Sequence, residues 1–202
     1  VGEGWVGAAR DWRSFVMLTL GTGVGDGVVM DGVLWGGERG MAVEIGHIKI
    51  EPGGRRCGCG GRGCLEAYAS ATGVAAAARE RFRAKAGAWL RAATAGDTAR
   101  IDAALVAKGA RAGDGLCREV LRDAGGALGR AMAHVALVLD TPRFVWGGGM
   151  AAAFPFLAPS AKAAALANAY TLTPRALKIV RARLGDNAGI LGAARRAFAG
   201  AR

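Results

Sequence analysis

Three of the chain's four cysteines fall within eight residues, Cys57-Gly-Cys-Gly-Gly-Arg-Gly-Cys64, and no other feature constrains the fold as tightly. The fourth, Cys117, lies far along the chain. A disulfide framework does not fit, because closely spaced Cys-x-Cys pairs make strained bridges. Three thiolates on a glycine-rich knuckle can instead point inward at one cation. Tetrahedral zinc needs a fourth soft or borderline ligand, and His47, ten residues before Cys57, can supply it. The expected metal ligands are His47, Cys57, Cys59 and Cys64. The plain alternative is a set of buried free thiols beside a loop histidine. The spacing matches neither a zinc finger nor a zinc ribbon, so it carries no implication of DNA binding. Cys117 and His134 lie in a helical stretch and are expected to be packed helix residues.

Length and composition narrow the remaining classes. With 202 residues, 52% hydrophobic and 21% charged, the chain can bury a real core and is not a disordered segment. No run of 18 apolar residues occurs, and the uncharged stretches Ala131–Leu139 and Met150–Ala161 are short or interrupted by proline, so a membrane span is not expected. The net charge of +11 raises the question of a nucleic-acid partner. Basic residues are spread from Arg10 to Arg202 with no block of five and few aromatics between them, which argues against that partner. The opening Val1-Gly-Glu-Gly-Trp5 has no charged region followed by an apolar core, and a cytoplasmic location is expected.

The order of local signals along the chain predicts an α/β architecture. Phe15–Leu20 reads as a strand, Gly21-Thr-Gly-Val-Gly-Asp-Gly27 as a glycine loop, Val28–Met30 as a strand resuming, Asp31-Gly32 as a hairpin turn and Val33–Trp35 as the returning strand. Strand, glycine loop, strand differs from both the Rossmann fingerprint and the Walker A loop, which lead from strand into helix. The loop fits a tight hairpin and an anion cradle of main-chain amides equally well. Ile48–Ile50 reads as a short strand. Helices are predicted over Ala67–Leu90, Thr98–Ala110, Gly115–Leu139, Met150–Ala169 and from Asn187, with strands at Arg143–Trp146 and Ala176–Val180. The closing βαβα alternation implies a layered structure with a mixed sheet.

Four separate blocks converge on one family. Leu18-Thr-Leu-Gly-Thr-Gly-Val-Gly25, Glu44-Ile-Gly-His47 with Cys57 to Glu66, Val145-Trp-Gly-Gly-Gly149, and Leu184-Gly-Asp-Asn-Ala-Gly-Ile-Leu-Gly192 together resemble the ROK family of repressors, open-reading-frame kinases and sugar kinases. The resemblance spans essentially the whole chain and implies the C-terminal lobe of an actin, hexokinase and Hsp70-like (ribonuclease H-like) fold, with a mixed sheet and a zinc-binding loop. It further implies that Glu44, His47 and Glu66 bind a hexose such as glucose. Gly21, Thr22, Gly23, Gly25, Gly147, Gly148 and Gly149 would line the nucleotide site. Structural Zn²⁺, with ATP and Mg²⁺ as co-substrates, and a homodimer complete the expectation. The implied reaction is glucokinase-like, ATP-dependent phosphorylation of a hexose, and the alternative is a sugar-binding regulator of the repressor type without its DNA-binding domain.

The chain also departs from the family pattern. The Asp-x-Gly-Gly-Thr phosphate loop and the Asn-Asp pair that carries the general base are not found in it. The stretch Val1–Ala9 resembles what normally follows that pair, so residues 1–202 are expected to form a single C-terminal lobe without the N-terminal one. No catalytic residue is assigned, and the chain alone is expected to be a poor kinase, since general-base assistance is typically worth about 10²- to 10⁴-fold. Asp26 stands in the phosphate hairpin where a small residue is usual. Its carboxylate would repel phosphates unless turned away or met by Mg²⁺.

Overall fold

The computed structural model describes residues 1–84 and 87–200. Its elements run α1 (Gly2–Val6), β1 (Phe15–Leu20), β2 (Val24–Met30), β3 (Val33–Trp35), α2 (Glu66–Ala69), α3 (Ala71–Ala84), α4 (Ala88–Thr94), α5 (Ala103–Arg111), α6 (Gly115–Leu139), β4 (Arg143–Gly147), α7 (Phe154–Asn168), β5 (Lys178–Arg181) and α8 (Asn187–Gly200). Short 3₁₀ turns cover Ile45–His47, Thr98–Arg100 and Gly149–Ala153.

The five strands form one mixed sheet in the order β3-β2-β1-β4-β5. β1 pairs antiparallel with β2 and parallel with β4, and β4 pairs parallel with β5. Period-two alternation divides the side chains between two faces. Val16, Leu18 and Leu20 of β1 join Phe144 and Trp146 of β4 in the main core, under α3, α5, α6 and α7. Phe15, Val29 and Val145 point the other way, into a smaller cluster with Ala9 and Trp12.

The long helix α6 is the hub of the main core. Asp114 caps its N-terminus by accepting the Cys117 amide at 3.0 Å, and thirteen of its residues are buried, which is why its periodicity was readable over the full length. α7 lies close along it because Gly125 and Gly129 present no side chain where the Leu157 and Ala161 carbonyls pass. On length and hydropathy the helical run Gly149–Asn168 could cross a bilayer, with mean hydropathy 1.3; here a third of it is buried, with Leu157, Ala161 and Ala165 inward.

Several predicted elements differ from the observed ones. Ile48–Ile50 is not a strand: Lys49 makes a single antiparallel bridge with Cys64, and the preceding residues coil into a 3₁₀ turn. The helix predicted over Ala67–Leu90 is interrupted by Ser70, whose backbone is extended and whose Oγ accepts the Gly73 amide at 3.0 Å, so that it ends α2 and caps α3. Part of that predicted span, residues 85 and 86, lies outside the described residues. Thr98–Ala110 breaks at Asp102, which caps α5 through the Leu105 amide at 2.7 Å. Met150–Ala169 starts as a 3₁₀ turn before α7 opens at Phe154 with Pro155 in its first turn, and β5 begins two residues later than predicted. Cys117 is fully buried as expected, whereas His134 is exposed on α6.

Candidate functional site

The knuckle is built by two isolated antiparallel bridges, Lys49 to Cys64 and Arg56 to Arg62, with tight turns between them. Gly63 takes φ +76° against the Glu51 carbonyl, a combination that a side chain would block. The folding brings His47, Cys57, Cys59 and Cys64 together, with one ligand atom from each lying within 4.8 Å of the others. Cys59 Sγ and Cys64 Sγ are 3.7 Å apart, and Cys57 Sγ lies 3.7 Å from His47 Nδ1. A sulfur pair that far apart is not a disulfide, whose bond is about 2.05 Å. It does suit two vertices of a tetrahedron, because zinc–sulfur bonds of about 2.3 Å set an edge of about 3.8 Å. Donor number, softness and spacing therefore fit a four-coordinate zinc.

The thiols are electrostatically distinct. Burial pushes Cys57 up to about 11, whereas the Gly61 amide lowers the pKa of the exposed Cys59. A hydrogen bond to Cys64, 2.7 Å from its Nζ, raises the pKa of the Lys49 ammonium. Cys117, away from the cluster, is pushed up to about 12 by burial.

The three expected sugar-binding residues surround this cluster. Glu66 opens α2 directly after the knuckle; its Oε2 accepts the Val24 amide at 3.1 Å and its Oε1 lies 3.5 Å from Cys57 Sγ. Glu44 is exposed, with Oε2 3.9 Å from His47 Nε2. The histidine thus turns Nδ1 to the thiols and Nε2 to a carboxylate. Two acceptor-only carboxylates beside an imidazole with one fixed nitrogen can read the directions of hydroxyl groups.

Both glycine loops leave the same end of the sheet, because β1 and β4 are parallel neighbours with Thr19 opposite Gly147. Gly148, at φ +80°, passes so near the end of β1 that a methyl there would lie 2.5 Å from the Leu20 carbonyl oxygen. The β1–β2 loop is pinned to α3, with Gly21 O accepting the Ala71 amide at 2.8 Å and Thr22 O accepting Thr72 Oγ1 at 2.9 Å. The Gly21 amide donates to Gly23 O at 3.0 Å, and Gly25 belongs to the sheet ladder opposite Thr19. Among the described residues, the Thr22 and Gly23 amides have no acceptor in the chain.

Asp26 faces away from the hairpin. Its Oδ2 accepts the Ile45 amide at 2.7 Å, joining β2 to the turn that carries Glu44 and His47. Burial raises its pKa to about 6, and Oδ1 is buried without a hydrogen-bond partner. The carboxylate that looked out of place among phosphates is a tether for the neighbouring loop. Glu3 and Lys49 are two further residues that sequence reasoning missed. Glu3 had no local signal, whereas Lys49 could have been found from its position two residues after His47 in a segment that returns to Cys64.

The ROK family profile matches residues 1–198. A glucokinase from Thermotoga maritima is 37% identical over 194 residues, which are 96% of this chain and 61% of that protein. An N-acetylmannosamine kinase from Citrobacter koseri is 37% identical over 150 residues, 74% of this chain and 46% of its own length. A ROK family glucokinase from Streptomyces griseus, solved with glucose and AMPPNP, superimposes with a TM-score of 0.85 at 30% identity, covering 96% of this chain and 63% of that one. A ROK family transcriptional regulator homologous to the E. coli MLC protein gives the same TM-score and identity over 96% of this chain and 48% of its own. The chain therefore spans about three-fifths of the length of the glucokinase it matches. Matched from Val1 to Phe198 by the family profile, with the expected mixed sheet beneath the glycine loops, the chain belongs to the ROK family.

Proposed function

We propose that this chain is the hexose- and nucleotide-binding lobe of a glucokinase-like sugar kinase, in which the γ-phosphoryl group of ATP passes to a hexose hydroxyl. The observation that carries this reading is the double engagement of Glu66. One carboxylate touches the phosphate-side hairpin at Val24 and the knuckle at Cys57, so sugar and nucleotide sites share a wall.

Glu44 and Glu66 accept hydrogen bonds from sugar hydroxyls, and His47 Nε2 offers a third polar contact. His47, Cys57, Cys59 and Cys64 hold zinc, which is structural because four protein ligands leave no open coordination position. The metal's contribution is to fix the knuckle so that Glu66 and the His47 ring keep their directions. Thr22 and Gly23 amides, with Gly147 to Gly149 across the sheet end, bind the phosphates and the nucleoside of MgATP. Phosphoryl transfer depends chiefly on such positioning and on electrostatic stabilisation. General-base assistance to the hexose hydroxyl, typically worth about 10²- to 10⁴-fold, is not assigned to any residue of this chain.

Calorimetric titration of the zinc-loaded chain with glucose and with N-acetylmannosamine tests the reading. Saturable binding of one of the two sugars, abolished in Glu66→Gln, is expected. Absence of heat for both sugars in zinc-loaded protein overturns it. The repressor-like alternative shares the same sugar site, and its support is the equal TM-score of the regulator structure. Measurable phosphorylation on adding a separate polypeptide that carries the Asn-Asp pair distinguishes a kinase lobe from it.

A further inference from the structure

The knuckle carries a lysine for which the sugar and metal roles have no use. Lys49 and Cys64 are opposite each other in the bridge that closes the knuckle, so their side chains leave on the same side. Lys49 Nζ lies 2.7 Å from Cys64 Sγ. Room for the ammonium comes from Gly61, where a methyl would lie 2.5 Å from Lys49 Nζ and 3.5 Å from Cys59 Sγ. One ammonium thus stands beside the Cys59–Cys64 sulfur pair, of which Cys59 is exposed and Cys64 buried.

The charge balance gives this position a purpose. Three thiolates, a neutral imidazole and a divalent cation sum to one negative charge. Two of the neighbouring arginines are engaged elsewhere: Arg55 pairs with Glu80 at 3.1 Å, and Arg62 Nε donates to the Gly53 carbonyl at 3.3 Å. Among the described residues, Lys49 is the one cationic side chain that hydrogen-bonds a sulfur of the cluster. Outer partners of this kind orient metal ligands and typically change metal affinity by about 10- to 100-fold.

We propose that Lys49 is the charge-neutralising positioning residue of the knuckle, holding Cys64 and the adjoining Cys59 in their ligating arrangement and setting how tightly the metal is retained. This rests on the zinc reading of the cluster. Because Cys64 stands two positions before Glu66, a metal lost for want of Lys49 would also release the sugar-side carboxylate.

The test compares wild type with Lys49→Gln and Lys49→Arg as full chains loaded with one equivalent of zinc. Zinc affinity is read by competition with a chromophoric chelator. Alkylation of each cysteine by iodoacetamide is followed by mass spectrometry, with buried Cys117 as internal control. Lys49→Gln is expected to bind zinc about 10-fold more weakly or worse. Its Cys59 and Cys64 are expected to alkylate faster, and Lys49→Arg, which keeps the charge, to stay near wild type in both readouts. If wild type holds zinc firmly and Lys49→Gln matches it in affinity and in thiol reactivity, the role given to Lys49 is wrong while the zinc site stands. If wild type takes up no zinc, the zinc reading itself fails and the role of Lys49 falls with it.

Discussion

Glu3 Oε1 accepts the Leu184 amide at 2.8 Å across 181 positions of sequence. The same oxygen takes the Arg183 amide at 2.9 Å, and Oε2 takes the Ala8 amide at 2.6 Å. Glu3 is only 3% exposed, so this carboxylate closes the described chain by joining α1 to the segment that leads into α8. Gly7 leaves the space that the carboxylate occupies. The three donors are only part-buried, but each bonds to a charged, buried acceptor, and such a hydrogen bond contributes about 1.5–3 kcal/mol. Glu3→Ala removes the acceptor for three, and is expected to lower unfolding free energy by roughly 3 kcal/mol or more. Glu3→Gln should cost less, because an amide oxygen can still serve Arg183 and Leu184 while its NH₂ opposes the Ala8 donor. Urea denaturation of both variants checks the order. Equal stability of wild type and Glu3→Ala would contradict it.

Metal removal tests the knuckle independently of any sugar. The fold there is turns, glycines and two isolated bridges, with little local structure to keep it in shape once the proposed zinc is taken from His47, Cys57, Cys59 and Cys64. Zinc sites of this donor type contribute directly to folding free energy. Chelation is therefore expected to lower the melting temperature by roughly 10 °C or more, taking about 2–4 °C per kcal/mol for a chain of this size. Cys64→Ser should reproduce the loss, and Cys117→Ser should not alter zinc content. Thermal melts with metal analysis on the same samples give the answer.

Asp26 makes a prediction about pH. Its pKa in the folded chain is raised to about 6 from an ordinary 3.8, chiefly by burial and against the hydrogen bond from Ile45. The folded form then holds a proton that the unfolded chain has already released, so stability falls as pH rises between about 4 and 6. Glu44 adds to the upward shift and His47 opposes it. Asp26→Asn cannot ionise, and its amide oxygen can still accept the Ile45 amide. The variant should gain stability relative to wild type as pH climbs through that window, and the difference should level off above it. A difference independent of pH in melts from pH 4 to 8 would count against the assignment.

These tethers mark the boundary of what the sequence made legible. β1, β3 and α6 were readable to the residue because each has a strong local period or a turn signal at its end: Leu20 before the glycine loop, Asp31-Gly32 before Val33, and Asp114 before α6. The convergence of His47, Cys57, Cys59 and Cys64 was readable because cysteine is rare and its spacing short. Ser70 and Asp102 are strong capping residues whose signals went unread beneath alanine-rich periodicity. Glu3 and the turn of Asp26 toward Ile45 could not be read, because each depends on a partner brought near only by the finished fold.

Gly23 offers the sharpest test of the shared wall between hairpin and knuckle. Its own backbone needs no unusual dihedral, so a substitution there acts through space alone. A methyl group at this position would run into Glu66 Oε2, the oxygen that accepts the Val24 amide. Gly23→Ala must displace that carboxylate or the hairpin, although residue 23 is not one of the three proposed to bind the sugar. Loss of one charged hydrogen bond of about 1.5–3 kcal/mol corresponds to roughly 10- to 100-fold in affinity. Hexose binding by calorimetry should weaken by about that factor, while zinc content stays at one per chain because none of the four ligands is touched. Unchanged hexose affinity in Gly23→Ala would separate the two loops and remove Glu66 as the link between them.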